Sequence, residues 1–139
     1  MERKCFAVFG IIEGLPEGEG KILLIHDKGK PSPAMWKLPG GRSNIEIEEC
    51  PEYALIREID EEVKITIMLP DKKDVVLEKN LENHIFKVYK AKYYDGKINA
   101  GEEVEWIKLF SVNEINSMIL ANEILPKHAQ ALTKYILGF

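Results

Sequence analysis

The stretch Leu55 to Ile65, LIREIDEEVKI, imposes two demands on one short segment. Leu55, Ile59 and Val63 recur at i, i+4 and i+8, with Ile56 beside them, which is the period of a helix laid against a core. The same segment carries Glu58, Asp60, Glu61 and Glu62, with Arg57 just before them. Residues advance about 100° along a helix, so Glu58, Glu61 and Glu62 fall on one face while the aliphatic residues take another. Each like-charge pair on an exposed helix costs a few tenths of a kcal/mol. A chain that folds this way has to anchor one face and neutralise the other. A hard divalent cation would do the second, since Mg²⁺ takes oxygen ligands and shares its shell with water and phosphate. The alternative is a solvated acidic face with no ligand.

The surrounding pattern is more specific. Gly41, Glu49 and Arg57-Glu58-Ile59-Asp60-Glu61-Glu62-Val63-Lys64-Ile65, preceded by Trp36-Lys37-Leu38-Pro39-Gly40-Gly41, resemble the Nudix box, G-x5-E-x7-R-E-U-x-E-E-x-G-U, where U is aliphatic. Two positions depart from it. Seven residues separate Gly41 from Glu49 instead of five, and Lys64 stands where the box ends on glycine. The extra pair should enlarge the loop around Arg42-Ser43-Asn44-Ile45-Glu46. Lys64 must either adopt a left-handed backbone at a cost or leave the helix differently.

The resemblance implies an α/β fold, the α/β/α sandwich with a mixed β-sheet. It implies metal ligation by Glu58, Glu61 and Glu62, with the Gly41 carbonyl adding a contact, and a structural pair between Arg57 and Glu49. It also implies magnesium, or manganese, as cofactor, and hydrolysis of a nucleoside diphosphate linked to another group. The base that activates water is then Glu61, or one of Glu102, Glu103 and Glu105 in the Gly-Glu-Glu-Val-Glu-Trp stretch, with Glu103 taken as representative; a solvated turn is the other reading of these three. The segment Leu120 to Leu132 resembles the C-terminal part of MutT-type members, which cleave purine nucleoside triphosphates. There Asn122 would meet the base, an amide being able both to donate and to accept; otherwise it caps a helix. Lys28, Lys30 and Lys37 are cations that could meet phosphates; simple solvation is the other reading of such lone lysines. The first reading is conversion of a nucleoside triphosphate to monophosphate and pyrophosphate. An ADP-ribose or nucleotide-sugar pyrophosphatase, or a non-catalytic nucleotide sensor, are the rivals.

The rest of the chain fits one domain, residues 1–139. Its length allows a real core. Strands are expected at Cys5 to Glu13, Lys21 to Asp27, Asp74 to Asn80, Asn83 to Asp95 and Val104 to Phe110. A tight turn is expected at Leu38 to Gly41 and another at Asp95-Gly96. Pro51 opens the acidic helix, Ser111-Val112-Asn113-Glu114 has the form of a capping box, and the last helix stops at Gly138. A net charge of -4 offers no basic field for a nucleic-acid polymer. Cys5 and Cys50 form no disulfide framework or metal spacing, and the N-terminal stretch lacks a secretory pattern. No apolar run is long enough to span a membrane. The expectation is a cytoplasmic protein, monomer or homodimer, without a membrane or nucleic-acid partner. No role is assigned to His26, His84 or His128, and Trp36 and Trp106 are expected to pack at the core or its rim.

Overall fold

The computed structural model describes residues 4–29 and 35–138. Strand β1 (Cys5–Glu13) is a continuous apolar run because both of its faces are covered. It pairs in parallel with β6 (His84–Gly96) and antiparallel with β3 (Gly40–Arg42). β5 (Val75–Asn80) and β4 (Ile65–Ile67) add to β6 antiparallel, completing a mixed five-stranded sheet. β2 (Ile22–Asp27) and β7 (Val104–Phe110) form a separate antiparallel pair. Helix α1 (Pro51–Val63) lies on one side. The helices α2 (Val112–Leu120) and α3 (Pro126–Leu137) lie on the other. This is the expected α/β/α layering.

Alternation along β1 divides the core in two. Val8 and Ile12 point towards α1 and meet Ala54, Leu55, Ile59 and Val63. Ala7, Phe9 and Ile11 point the other way, towards Ala131 and Leu132 of α3. Leu55, Ile59 and Val63 are fully buried. Each contributes about 1.5–3 kcal/mol by leaving water, which fixes α1 on the sheet.

Helix boundaries follow the chain's own signals. Pro51 is the first residue of α1. Ser111 and Glu114 bond each other's backbone N–H, so the capping box is present. α3 ends at Gly138 in a left-handed conformation.

Three expectations are corrected. Gly40 and Gly41 are strand residues paired with Phe9 and Val8 rather than the tip of a tight turn. Asp95 and Gly96 do not turn the chain but pair with Thr66 and Ile65 of β4, a short strand that the sequence reading missed. Asp74 belongs to a 3-10 turn, Lys72–Asp74, ahead of β5. The two extra residues of the Gly41–Glu49 loop are absorbed in a 3-10 turn, Ile45–Ile47, capped by the Asn44 side chain.

Lys64 takes the left-handed conformation itself, with φ 65 and ψ 26, and its N–H bonds the Asp60 carbonyl at 3.0 Å. That conformation costs an L-residue about 1–2 kcal/mol, and glycine returns about 0.5–1 kcal/mol of it through its more mobile unfolded state. Lys64→Gly should therefore stabilise the protein, by up to about 1 kcal/mol, in urea denaturation, whereas Lys64→Ala should not. Destabilisation by the glycine would show that the Lys64 side chain contributes more than the backbone strain removes.

Candidate active site

The acidic face of α1 opens on a cleft of about 340 Å³ lined by Glu58, Glu61, Glu62, Lys64, Glu102 and Glu103. Two close approaches build it. A Cβ on Gly41 would meet the Glu58 carboxylate, so β3 lies closely against that side chain and a larger residue would displace it. A Cβ on Gly101 would collide with the Glu61 carbonyl. Gly101 instead donates its N–H to the Glu62 carbonyl at 2.9 Å, and Asn99 donates to Val63 at 2.9 Å. The segment before β7 thus satisfies carbonyls that the end of α1 leaves open. The same segment carries Glu102 and Glu103 into the cleft. Lys28 holds it from the other side, donating to the Glu103 carbonyl at 2.9 Å.

Arg57 organises the remaining side. Its Nε and one terminal nitrogen donate to the two Glu49 carboxylate oxygens at 2.8 and 2.9 Å, a fork-on-fork pair. The same terminal nitrogen donates to the Arg42 carbonyl at 3.0 Å. The other reaches Glu58 at 3.0 Å and Glu61 at 3.2 Å. Glu49, with 9% of its side chain exposed, also accepts from the Asn44 N–H at 2.8 Å. The Arg57 guanidinium, outweighing burial, holds the Glu49 carboxyl below the ordinary range.

Glu58 and Glu62 behave in the opposite way. Burial pushes both carboxyls up, Glu62 to about 7, although the Gly40 N–H donates to Glu62 at 2.6 Å and Lys37 opposes the shift. Lys37 sits in an ion pair with Asp27 at 3.1 Å and over the Phe9 ring at 5.4 Å. Asp27 was not anticipated from the sequence; its charge acts on Glu62, and one of its oxygens is buried without a partner.

The predicted residues are thus largely brought together. Glu49, Arg57, Glu58, Glu61, Glu62, Gly41 and Glu103 share one region, with Lys37 beside it, and Glu102 joins them. Glu105 does not line the cleft, and Lys30 lies outside the described residues. Asn122 sits just beyond the end of α2, exposed and left-handed at φ 57, a conformation asparagine tolerates at a helix end. It does not line the cleft either. His128 is buried and holds the lead-in to β3. Its Nδ1 accepts from the Leu38 N–H at 3.1 Å, and burial lowers its pKa to about 3, so the ring is a neutral acceptor. A lone histidine on a helix gives no sequence signal for such a bond. Trp36 packs edge-on against Phe110 at 5.1 Å, as expected for a rim residue, while Trp106 is 60% exposed. A larger cleft, about 650 Å³ between β7 and α2, is away from these carboxylates.

The NUDIX domain model matches residues 6–135. The chain belongs to the NUDIX domain family. It is similar to an ADP-ribose pyrophosphatase of Methanocaldococcus jannaschii, 28% identical over 122 residues, covering 84% of this chain and 69% of that protein. Its fold matches a NUDIX hydrolase of Nitrosomonas europaea with a TM-score of 0.77 at 22% identity, over 97% of this chain and 71% of that one. A MutT NUDIX hydrolase of Burkholderia pseudomallei gives 0.73 at 23% identity, over 96% and 98%. The chain is therefore a Nudix hydrolase with the mixed sheet and helices of that fold.

The carboxyl shifts have a consequence for stability. Glu62 binds its proton more tightly folded than unfolded, so below the unfolded value of about 4.5 its contribution is full, and it is lost as pH rises through about 7. In EDTA, urea denaturation should show stability falling over that window, and Glu62→Gln should remove much of the slope, Glu58 keeping the rest. An unchanged slope in the variant would refute the assignment.

Proposed function

We propose that the cleft hydrolyses a nucleoside triphosphate to the monophosphate and pyrophosphate with a divalent cation, magnesium or manganese. The observation that carries this is the convergence of Glu58, Glu61 and Glu62 with Gly41, Glu102 and Glu103 around one opening. The donor set fits such an ion. All its side-chain ligands would be carboxylate oxygens, and burial raises the pKa of two of them, which a bound cation would offset. Among the described residues no three such side chains stand close enough together to hold a metal ion by themselves. An ion that keeps waters and shares phosphate oxygens requires no such set.

Glu58, Glu61 and Glu62 would hold the ion, with the Gly41 carbonyl beside them. When bound, the ion supplies charge neutralisation for the phosphate chain and its transition state. The chain's own residues do the remainder. Arg57 keeps Glu58 and Glu61 turned towards the opening. Glu61, with a side chain 56% exposed, and Glu103, on a segment pinned at both ends, are the groups placed to take a proton from attacking water. Lys37 offsets charge near Glu62. The exposed Asn122 amide would meet the edge of the base. A second reading, cleavage of ADP-ribose, is favoured by the name of the Methanocaldococcus jannaschii relative.

The test is a panel of canonical and oxidised purine triphosphates, ADP-ribose, sugar nucleotides and dinucleoside polyphosphates, with Mg²⁺. Monophosphate release is followed by chromatography for the wild type and for Glu61→Gln. Triphosphates should be cleaved, and the variant should lose about a hundredfold or more in kcat. Preferred cleavage of ADP-ribose would select the second reading. Nucleotide binding with no cleavage of any compound would replace both with a sensing role.

A further inference from the structure

The sheet face under α3 carries positive charge that the carboxylate cleft does not use. Across the strands Ala7 stands between Arg42 and Phe86, and Cys5 stands beside His84. Side chains alternate along a strand, so these residues share the face that meets α3. The Arg42 guanidinium donates to the Cys5 Sγ at 3.4 Å, in the direction of His84. Lys127, in the first turn of α3, lays its ammonium 5.6 Å from the centre of the Phe86 ring. Lys4 closes the far side, donating to Asn80 Oδ1 at 2.6 Å and to the Leu81 carbonyl at 2.7 Å, next to the bond from the Leu81 N–H to His84.

His84 lies among these cations, with its Nδ1 buried and without a hydrogen-bond partner. Burial first, and then the charges of Arg42, Lys127 and Lys4, hold its pKa down. Three cations elsewhere among the described residues do have carboxylate partners: Lys37 with Asp27, Arg57 with Glu49, Lys87 with Glu78. Among the described residues, no carboxylate oxygen lies within 4.0 Å of the side-chain nitrogens of Arg42, Lys127 or Lys4. The start of α3 adds to the imbalance, having no acidic residue in its first turn and no side-chain cap. A cation at a helix N-terminus opposes the helix dipole, and an anion there would be favoured.

We propose that Arg42, His84 and Lys127, at the uncapped start of α3, form a phosphate-binding site separate from the metal-binding carboxylates. Strand β3 links the two: the Arg42 carbonyl accepts from Arg57 on the catalytic side, while the Arg42 side chain faces α3. A nucleotide bent over β3 would place one phosphate in each site. The ligand is a phosphate group, either one carried by the substrate away from the hydrolysed bond or free orthophosphate. Its substrate form rests on the hydrolase reading; the binding itself does not.

The test uses the full chain in EDTA, titrated with inorganic phosphate, with the ring resonances of its three histidines followed by NMR and His84 assigned with His84→Gln. His84 should show a saturable shift that His26 does not share. Arg42→Gln and Lys127→Gln should each weaken it about tenfold, as for a lost charge-assisted bond, and added NaCl should weaken it further. No saturable shift at His84, or one that neither variant weakens, overturns the proposal. Inhibition of turnover by phosphate then separates the sources. Competitive inhibition relieved by Lys127→Gln assigns the site to a substrate phosphate, and non-competitive inhibition relieved by the same variant assigns it to free phosphate. Phosphate binding in a protein that hydrolyses no nucleotide would remove the hydrolase reading and leave this site standing. Turnover without a His84 response would do the reverse.

Discussion

The Arg57 guanidinium is the interaction on which the carboxylate cleft depends. It joins Glu49, the Arg42 carbonyl, Glu58 and Glu61, four groups from the loop, the edge strand and the helix. A planar fork with five donors can serve all of them at once, which a lysine ammonium cannot. Without it, Glu49 would be a nearly buried carboxylate with only the Asn44 N–H for compensation, and breaking such a pair costs far more than the pair gains over an apolar substitute. The loop therefore has one position relative to α1. That single position is what allows two extra residues to be taken up as a 3-10 turn without disturbing Glu49.

The acidic helix stays folded because its two faces are treated separately. Leu55, Ile59 and Val63 secure it to the sheet, and that burial outweighs the few tenths of a kcal/mol lost for each like-charge pair. The remaining charge is badly placed in the absence of a ligand. Glu61 and Glu62 lie at the C-terminal end of the helix, where the dipole already disfavours anions, and α1 has no basic residue in its last turn. Burial then adds to the cost at Glu58 and Glu62. The divalent cation proposed for this cleft would reverse each of these terms together and make the site more stable loaded than empty.

Much of this was legible in the sequence where one residue type has one physical use. The period of Leu55, Ile59 and Val63 fixed the helix and its buried face, Pro51 its start, and the capping box of Ser111 and Glu114 the start of α2. The Glu49–Arg57 pair was legible only through the box that the chain resembles, and the structure shows the two side chains joined. What stayed hidden depends on packing between distant segments. Gly40 and Gly41 read as a turn because glycine signals flexibility, yet here it marks backbone approaching Phe9 and the Glu58 carboxylate. β4 is three residues long and becomes a strand only because β6 extends far enough to receive it. The Asp27–Lys37 pair and the Leu38–His128 bond join segments that no local pattern connects. Asn122 shows the limit of analogy: its backbone position is explained by the end of α2, and nothing in its spacing shows what its side chain meets.

In the proposed site Glu58, Glu61 and Glu62 hold a divalent cation in the geometry Arg57 maintains. The most direct measurement is Mn²⁺ binding by electron paramagnetic resonance, comparing wild type with Glu58→Gln and Arg57→Ala. Saturable binding in the wild type, lost in Glu58→Gln and weakened in Arg57→Ala, is the predicted result. Equal binding by all three proteins would place the ion elsewhere and contradict the account.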